Sequence, residues 1–198
     1  LAKALFDIEN MFEAVRGWSL AYQTYKKDES DESFDNLNEA IWRACSIAAV
    51  LLEVSHTTTI ALLSSDERAK GLNNIRKALS LTLRDRTIMT SYLSLIARSK
   101  LTLLPNEKAE RAEEAVVEYI KFIFTDFWYQ LPYLSPEVKI ELSYISNYGY
   151  YNVNKALTKL RLEPIYSVHE MPKSVEEFLK VNDSLKEARV SKRVRWWK

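Results

Sequence analysis

The chain of 198 residues has few of the residues that build tight loops, disulfides and metal sites. It contains three glycines, five prolines, two histidines and one cysteine. Sheets and glycine-rich ligand loops need more breaks than this, so the composition favours helices. The single cysteine, Cys45, excludes an intramolecular disulfide and a cysteine-based zinc site. Because it lies in an apolar stretch, we predict a buried, unreactive thiol, which agrees with a reducing environment.

Motifs that bind phosphate or carry catalysis are also missing. The sequence has no G-x-x-x-x-G-K-[ST] and no G-x-G-x-x-G. Glu53 and His56 form an E-x-x-H, which is half of a di-iron site in a helical bundle, but no second such pair exists. His169 has no metal-ligand spacing, and neither histidine marks a base beside a nucleophile. We therefore predict a protein that is not an enzyme and that holds no metal or cofactor.

No signal peptide or membrane span is predicted. The first ten residues carry acids where a signal peptide has an apolar run. The most apolar long stretch is interrupted by Glu118, Lys121 and Asp126. We expect a cytoplasmic protein. Its first residue is Leu1 rather than methionine, which fits a processed chain or a segment of a longer polypeptide.

The net charge of +1 conceals four blocks of alternating sign. Residues 1–66 carry 5 basic and 11 acidic side chains, and residues 102–150 carry 4 and 8. Residues 67–101 carry 8 basic and 2 acidic side chains, and residues 151–198 carry 11 and 6. A local basic face can bind a polyanion whatever the total charge, so the two basic blocks are candidates for nucleic-acid contact.

Apolar residues recur at three- and four-residue spacing in the first half, as in amphipathic helices. The pattern predicts a helix to about Lys27, an acidic surface loop over 26–36 and a central helix from about Leu37 to Val54. The threonine-rich stretch that follows either continues that helix or forms a turn. Ser64 and Glu67 have the spacing of a capping box, which predicts a helix over 66–86 and a further one over 87–101.

The second half shows the same periodicity with clearer stop signals. We predict a helix after Pro105 with Asn106 as its N-cap, and another from Ser135 to Ser146. Gly149 is expected to interrupt, and the helix that follows should stop at Pro164. Ser174 and Glu177 form a second predicted capping box, which begins the last helix.

The sequence thus predicts an all-α fold, a helical bundle of six to eight helices in a single compact domain with a basic C-terminal tail. Residues 1–163 would form the bundle. Residues 164–198 would form a loop and a basic helix or tail that packs on the bundle or extends from it.

A row of basic residues follows the predicted helix over 66–86. Lys70, Lys77 and Arg84 lie seven residues apart, opposite a stripe formed by Leu72, Ile75, Leu79 and Leu83, with Asn74 between the first two. Such a row could follow a phosphate backbone by charge alone. The alternative is an ordinary solvated helix face. Arg98 and Lys100 end the next predicted helix and enlarge the candidate site.

The stretch YISNYGYYNVNKALTKLRL combines tyrosines, asparagines and basic residues. Aromatic faces stack on any base, and nearby cations bind phosphates. The candidate residues are Tyr148, Tyr150, Tyr151, Asn152, Lys155, Lys159 and Arg161, with Asn152 and the lysines predicted to face away from Val153, Ala156 and Leu160. The alternative is a corner between helices, with one or two of the three tyrosines in the core.

The C-terminus carries a third basic and aromatic cluster. Two adjacent tryptophans cannot both face one core from a helix, so at least one is expected to be exposed or bound to a partner. The cluster consists of Arg189, Lys192, Arg193, Arg195 and Lys198 around Trp196 and Trp197. It would suit nucleic acid, another subunit or an anionic membrane surface. The alternative is a frayed tail.

Two functions follow from these features. The first is a non-catalytic subunit that binds a DNA or RNA backbone without sequence specificity, since no helix-turn-helix can be delineated. Its acidic first third would contact other subunits, including copies of itself. The small helical subunits of CRISPR effector complexes and the helical coat proteins of filamentous archaeal viruses offer an analogy of architecture, without a shared motif.

The second function is a protein-interaction or scaffold bundle with no nucleic-acid partner. Rigid aromatic side chains concentrate binding energy at interfaces. The docking patch would then be the aromatic cluster of Phe124, Phe127, Trp128, Tyr129 and Tyr133. The first function predicts that the basic residues of 66–86 and 150–162 meet on one surface, and the second predicts that they scatter.

Overall fold

The computed structural model describes residues 2–55, 57–65, 73–134 and 142–180, which form seven helices and no strand. The helices are α1 (Ala2–Asp28), α2 (Asp31–Val54), α3 (Thr57–Ser65), α4 (Asn73–Leu101), α5 (Asn106–Leu134), α6 (Leu142–Leu160) and α7 (Lys173–Lys180). The predicted all-α fold is confirmed. Among the described helices, none combines the length and the apolar character needed to cross a lipid bilayer.

Helix α2 lies at the centre of the bundle, as its apolar sequence predicted. It contacts α1, α4, α5 and α6. Trp42 is fully buried, and its Nε1 donates a hydrogen bond of 3.1 Å to the carbonyl oxygen of Ala112 on α5. Cys45, on the same helix, is buried as expected. A helix that is apolar around most of its circumference can only be stable inside the protein.

The predicted acidic loop over 26–36 is wrong, because only Glu29 and Ser30 separate α1 from α2. Ser30 is the N-cap of α2, and its hydroxyl accepts a hydrogen bond from the backbone N–H of Ser33. Asp31 and Glu32 occupy the first turn, where the helix dipole stabilises negative charge. The acidic run therefore starts a helix instead of preventing one.

The threonine-rich stretch forms a separate short helix, α3. Ile60 and Ala61 are buried on it, which outweighs the low helix propensity of threonine. Ser64 lies inside α3. The sequence had predicted that Ser64 caps the next helix, and this prediction is wrong. The hydroxyl of Ser64 is 3.0 Å from the hydroxyl of Tyr144 on α6, which in turn hydrogen-bonds the hydroxyl of Ser174 on α7.

The two helices predicted over 66–86 and 87–101 are one helix, α4, from residue 73 onward. No glycine or proline interrupts it, and the Thr87 hydroxyl donates back to the Leu83 carbonyl at 2.9 Å, so this hydroxyl is satisfied within the helix. The prediction that Ile75 belongs to the inward-facing stripe is wrong, because Ile75 is exposed and the neighbouring Arg76 is buried instead. Arg76 faces inward because its Nη2 donates to the carbonyl of Phe178 on α7 at 2.8 Å.

Helix α6 runs through Gly149 without interruption, contrary to the prediction. A glycine within a helix costs about 1 kcal/mol relative to alanine. Burial of Tyr148, Val153 and Leu157 on both sides of it outweighs that cost. Tyrosines and lysines of one continuous helix therefore keep a fixed register.

A buried amide, that of Asn154, bonds the segment after α6 to the bundle. The Nδ2 of Asn154 donates to the carbonyls of Tyr166 and Val168, both at 2.8 Å. Its Oδ1 accepts from the backbone N–H groups of Ile165 and Tyr166. Helix α7 begins at Lys173, one residue before the predicted cap Ser174.

The end of α6 stores conformational strain at Arg161. This residue has a φ of 63°, in the left-handed region that favours glycine. The N–H of Leu162 donates to the carbonyl of Leu157 at 2.9 Å, and that of Arg161 donates to the carbonyl of Thr158 at 3.1 Å. This pair of bonds is the Schellman motif, in which glycine is the usual residue.

We predict that Arg161→Gly stabilises the protein by about 0.5–1 kcal/mol, because the relief of the left-handed penalty exceeds the extra entropy of glycine in the unfolded chain. Urea unfolding followed by circular dichroism measures the change. Arg161→Ala removes the same side chain but keeps the strain, so it is the matched control. Equal stability of the two variants would contradict the prediction.

Candidate nucleic-acid interface

The outer face of α4 carries part of the predicted basic row. Asn74, Lys77 and Arg84 are exposed, whereas Lys70 lies outside the described residues. Lys77 and Arg84 are two turns apart, about 10.5 Å along the helix axis and within about 20° of each other around it. The two cations therefore point to the same side.

Of the two basic residues in the last turn of α4, only Arg98 continues this row. It lies about 21 Å from Arg84 along the axis and about 40° from it around the helix. Lys100 lies about 160° away, on the other side. Both side chains are half-buried, and the Nε of Arg98 is buried with no hydrogen-bond partner among the described residues.

The tyrosines of α6 are largely committed to internal contacts. Tyr148 is 2% exposed, which confirms that at least one of the three lies in the core. Its ring stacks on that of Tyr151 with centroids 6.5 Å apart, and Tyr150 stacks on Tyr166 at 4.1 Å. Burial raises the pKa of Tyr148 to about 12. The described tyrosines resemble a packing corner more than an open platform for bases.

Asn152 faces α3 and the lysines after it face α2, contrary to the prediction that they form an outward surface. Asn152 is buried and donates from Nδ2 to the hydroxyl oxygen of Thr57 at 3.0 Å. Lys155 pairs with Oε1 of Glu53, and Lys159 donates to Oε2 of the same carboxylate at 2.9 Å. The buried carboxylate on α2 is the reason, because it needs counter-charges to be stable.

Glu53 stays ionised because of these two lysines. Its side chain is 5% exposed, and burial alone would raise the pKa of its carboxyl group. The positive charges of Lys155 and Lys159 and their hydrogen bonds outweigh burial, so the pKa lies below the ordinary value of 4.5. One carboxylate thereby fixes two basic side chains of α6 beside α2.

A small cavity of about 180 Å³ lies where α2, α4 and α6 meet. Charged side chains from all three helices line it: Glu53 from α2, Arg84 and Arg86 from α4, and Lys155 from α6. The remaining lining residues are Leu83, Thr87, Tyr148, Asn152 and Met171. Basic residues from the two segments singled out in the sequence therefore meet at one place.

The charges that line this cavity are not balanced. Three cations face one carboxylate, which gives the described lining residues a net charge of +2. The Nη1 of Arg86 is buried and has no hydrogen-bond partner among the described residues. Burial lowers the pKa of this guanidinium and Glu53 raises it, but arginine remains charged in proteins. A buried donor that carries charge and lacks a partner is well placed to bind an anion.

A larger cavity lies between α1, α2 and α5, but its charges balance. Its volume is about 540 Å³, and its charged lining residues are Glu13, Arg16, Glu39 and Arg43. Arg16 pairs with Glu13 at 3.8 Å, and Arg43 lies over the ring of Tyr119 at 5.1 Å. The described lining residues of this cavity therefore carry no excess of positive charge that would select an anion.

The other predicted site residues divide between exposed and undescribed positions. Arg161 is exposed at the end of α6. Arg189, Lys192, Arg193 and Arg195 lie outside the described residues. In the aromatic docking patch, Phe124 is buried in the core, where it packs in a cluster with Ile120 and Ile123. It therefore cannot dock a partner. The side chains of Phe127, Trp128, Tyr129 and Tyr133 lie outside the described part of the structure.

Sequence reasoning missed Arg86 and assigned Glu53 no role as a counter-ion. A signal for Arg86 was present, because it lies three residues after Leu83 and seven after Leu79, on the inward face of α4. A basic residue on an apolar face must find a counter-charge or a ligand. Glu53 offered the same signal on α2.

Comparisons with known proteins identify no relative from which a function could be inferred. The chain matches no protein-family model and no curated protein sequence. Across residues 2–55, 57–65, 73–134 and 142–180, no group of three histidine, cysteine or acidic side chains could hold a metal ion.

We predict that Glu53→Gln destabilises the protein by about 2–3 kcal/mol at pH 7. Breaking a fully buried pair costs about 3–5 kcal/mol, and the partial exposure of both lysines reduces that cost. Urea unfolding measures it. Glu118→Gln breaks an exposed pair with Lys121 and should change stability by less than about 0.5 kcal/mol.

The loss of stability caused by Glu53→Gln should depend on pH. Since the folded pKa of Glu53 lies below 4.5, its stabilising effect is complete above that pH and is lost as the pH falls through the folded value. The difference between wild type and Glu53→Gln should therefore shrink below pH 4.5. A difference that stays constant from pH 7 to pH 3 would show that the charge of Glu53 is not what stabilises the fold.

Proposed function

We propose that this protein is a non-catalytic helical subunit that binds a nucleic-acid backbone, without sequence specificity, within a larger nucleoprotein assembly. The observation that carries the proposal is the convergence of Arg84, Arg86 and Lys155 on one cavity with a single carboxylate. Convergence of the two basic segments is what distinguishes nucleic-acid binding from the scaffold function.

Binding would rest on charge. Lys77 and Arg84 on the outer face of α4 contact phosphates, and the cavity beside Arg84 gives the backbone a fixed point of attachment. Base reading has little support, because the amide of Asn152 and the hydroxyl of Thr87 already donate within the protein. Contacts to phosphate alone carry no sequence information.

We predict that the protein binds single-stranded or duplex nucleic acid with an affinity that falls linearly in a log–log plot against salt. The double variant Lys77→Gln/Arg84→Gln should bind about tenfold more weakly at low salt, a loss of about 1.4 kcal/mol. It should also reduce the slope by about 1.4 for a single strand, because two phosphate contacts are lost. Fluorescence anisotropy with labelled DNA and RNA strands and duplexes measures both quantities.

The matched control is Arg111→Gln/Lys121→Gln. It removes two exposed cations from α5, a helix from which no described residue lines the cavity. It should leave the slope unchanged. Equal effects of the two double variants would indicate that only the total charge matters, and no binding at low salt would overturn the proposal.

A protein-interaction function is the second candidate, and an exposed apolar ridge on α4 favours it. Leu81, Ile88, Tyr92 and Leu95 lie within about 60° of one another around the helix, and each is 49–64% exposed. Exposed apolar patches of this kind mark interaction surfaces. Lys77 and Arg84 share this face of α4, so a protein bound to the ridge would compete with a nucleic acid bound to the basic row.

We predict that the purified chain self-associates at high concentration through this ridge. Ile88→Lys should shift the association to higher concentration, because a charge would be buried at the contact. Analytical ultracentrifugation measures it. Phe122→Lys changes an equally exposed apolar residue on α5 and is the control. A chain that stays monomeric at every concentration would contradict this role for the ridge.

A further inference from the structure

We infer that the cavity between α2, α4 and α6 binds a phosphomonoester, the terminal phosphate of a nucleic-acid strand, in preference to an internal phosphodiester. This inference rests on the proposed function and names the part of the ligand that the cavity recognises. The argument depends on the charge that lines the cavity, the donors that remain free and the volume.

The lining charge matches a dianion. Arg84, Arg86 and Lys155 face Glu53, so the described lining residues sum to +2. An internal phosphodiester carries one negative charge, whereas a phosphomonoester carries about −1.5 to −2 at pH 7. A diester would leave one cation uncompensated in a partly buried place, and this costs free energy.

Glu53 cannot neutralise the arginines itself. Its Oε1 pairs with Lys155 and its Oε2 accepts from Lys159 at 2.9 Å, so its one negative charge is shared by two lysines as well as by Arg86. The Nη1 of Arg86 is left buried without a hydrogen-bond partner among the described residues. A phosphate in the cavity would place a negative charge beside this guanidinium, and guanidinium groups bind phosphate with two parallel hydrogen bonds.

Several neutral groups of the cavity are engaged within the protein. The Thr87 hydroxyl donates to the Leu83 carbonyl at 2.9 Å, and the Asn152 amide donates to Thr57 at 3.0 Å. Tyr148 also interacts with the Asn152 side chain. With these donors occupied, the charged groups decide what binds. They select a phosphate group over a sugar or a base.

The volume fits one phosphate group. A cavity of about 180 Å³ is smaller than the roughly 300–1,000 Å³ of sites that enclose whole small molecules. It corresponds to about six water molecules at about 30 Å³ each. The end of a strand can enter such a space, with the rest of the strand following the outer face of α4 from Arg84.

The test compares oligonucleotides that differ only at one end. Strands with a 3′ fluorophore carry either a 5′-hydroxyl or a 5′-phosphate, and strands with a 5′ fluorophore carry either 3′ end. We expect a terminal phosphate to tighten binding about tenfold in anisotropy titrations at fixed salt. The advantage should decline as the pH falls from 7 to 5, because the second phosphate pKa is about 6. None of the described lining residues is a histidine or a cysteine, whose titration would fall in the same pH interval.

Arg86→Met should abolish the advantage of the terminal phosphate, so that strands with a 5′-hydroxyl and a 5′-phosphate bind the variant with equal affinity. Because the substitution removes a buried donor without a partner, it should not lower the melting temperature. Arg84→Gln, at an exposed position, is the second variant and should reduce the advantage as well. Lys121→Gln on α5 should retain it in full.

Each result has a distinct meaning. Equal, salt-dependent affinities for both ends overturn the phosphomonoester inference and leave the proposed function standing. If no strand binds at low salt, the proposed function fails. The effect of inorganic phosphate on the melting temperature then tests the cavity by itself. A melting temperature that phosphate raises, at ionic strength matched with chloride, supports a phosphomonoester site for a small molecule, provided that Arg86→Met removes the effect. No shift overturns the inference.

Discussion

The pairing of the Glu53 carboxylate with two lysines of α6 is the interaction on which the rest of the site depends. A buried acid must be paired, and its two oxygens accept one lysine each from consecutive turns of α6. The pairing fixes the register of α6 against α2 and brings Lys155 to the cavity. It also uses up the only described carboxylate that lines the cavity, so the arginines of α4 keep an excess of positive charge. One ion pair thus joins the fold to the proposed function.

Single polar side chains connect the other elements in the same way. Trp42 joins α2 to α5, Arg76 joins α4 to α7, and Asn154 holds the segment that leads to α7. Apolar packing alone tolerates several arrangements of similar helices, whereas a satisfied buried hydrogen bond is compatible with few of them. Met171 reaches the cavity because that segment is tied down. The geometry of the site is therefore set by contacts outside it.

Helix periodicity predicted the fold class, the central place of α2 and the burial of Cys45, because each depends on local pattern alone. It failed where tertiary burial overrides local preference, as at Gly149 and in the threonines of α3. For the site, it placed Lys77 and Arg84 on an exposed face. It misplaced Lys155 and missed Arg86, because periodicity assigns a residue to a face but not to the neighbouring helix that this face meets. The charge partner of a buried residue is a property of the packed bundle.

The single cysteine gives the molecule an internal reporter of its own opening. Cys45 is 8% exposed on the helix that contacts four others, and burial raises the pKa of its thiol above 9.0. The thiolate is the form that attacks labelling reagents, so at neutral pH labelling requires that α2 opens first. With no second cysteine in the sequence, the mass of the intact protein records each event. An anion that binds the closed bundle lowers the population of the open form and slows labelling by the same factor. Its affinity can therefore be obtained from a labelling rate without a fluorophore.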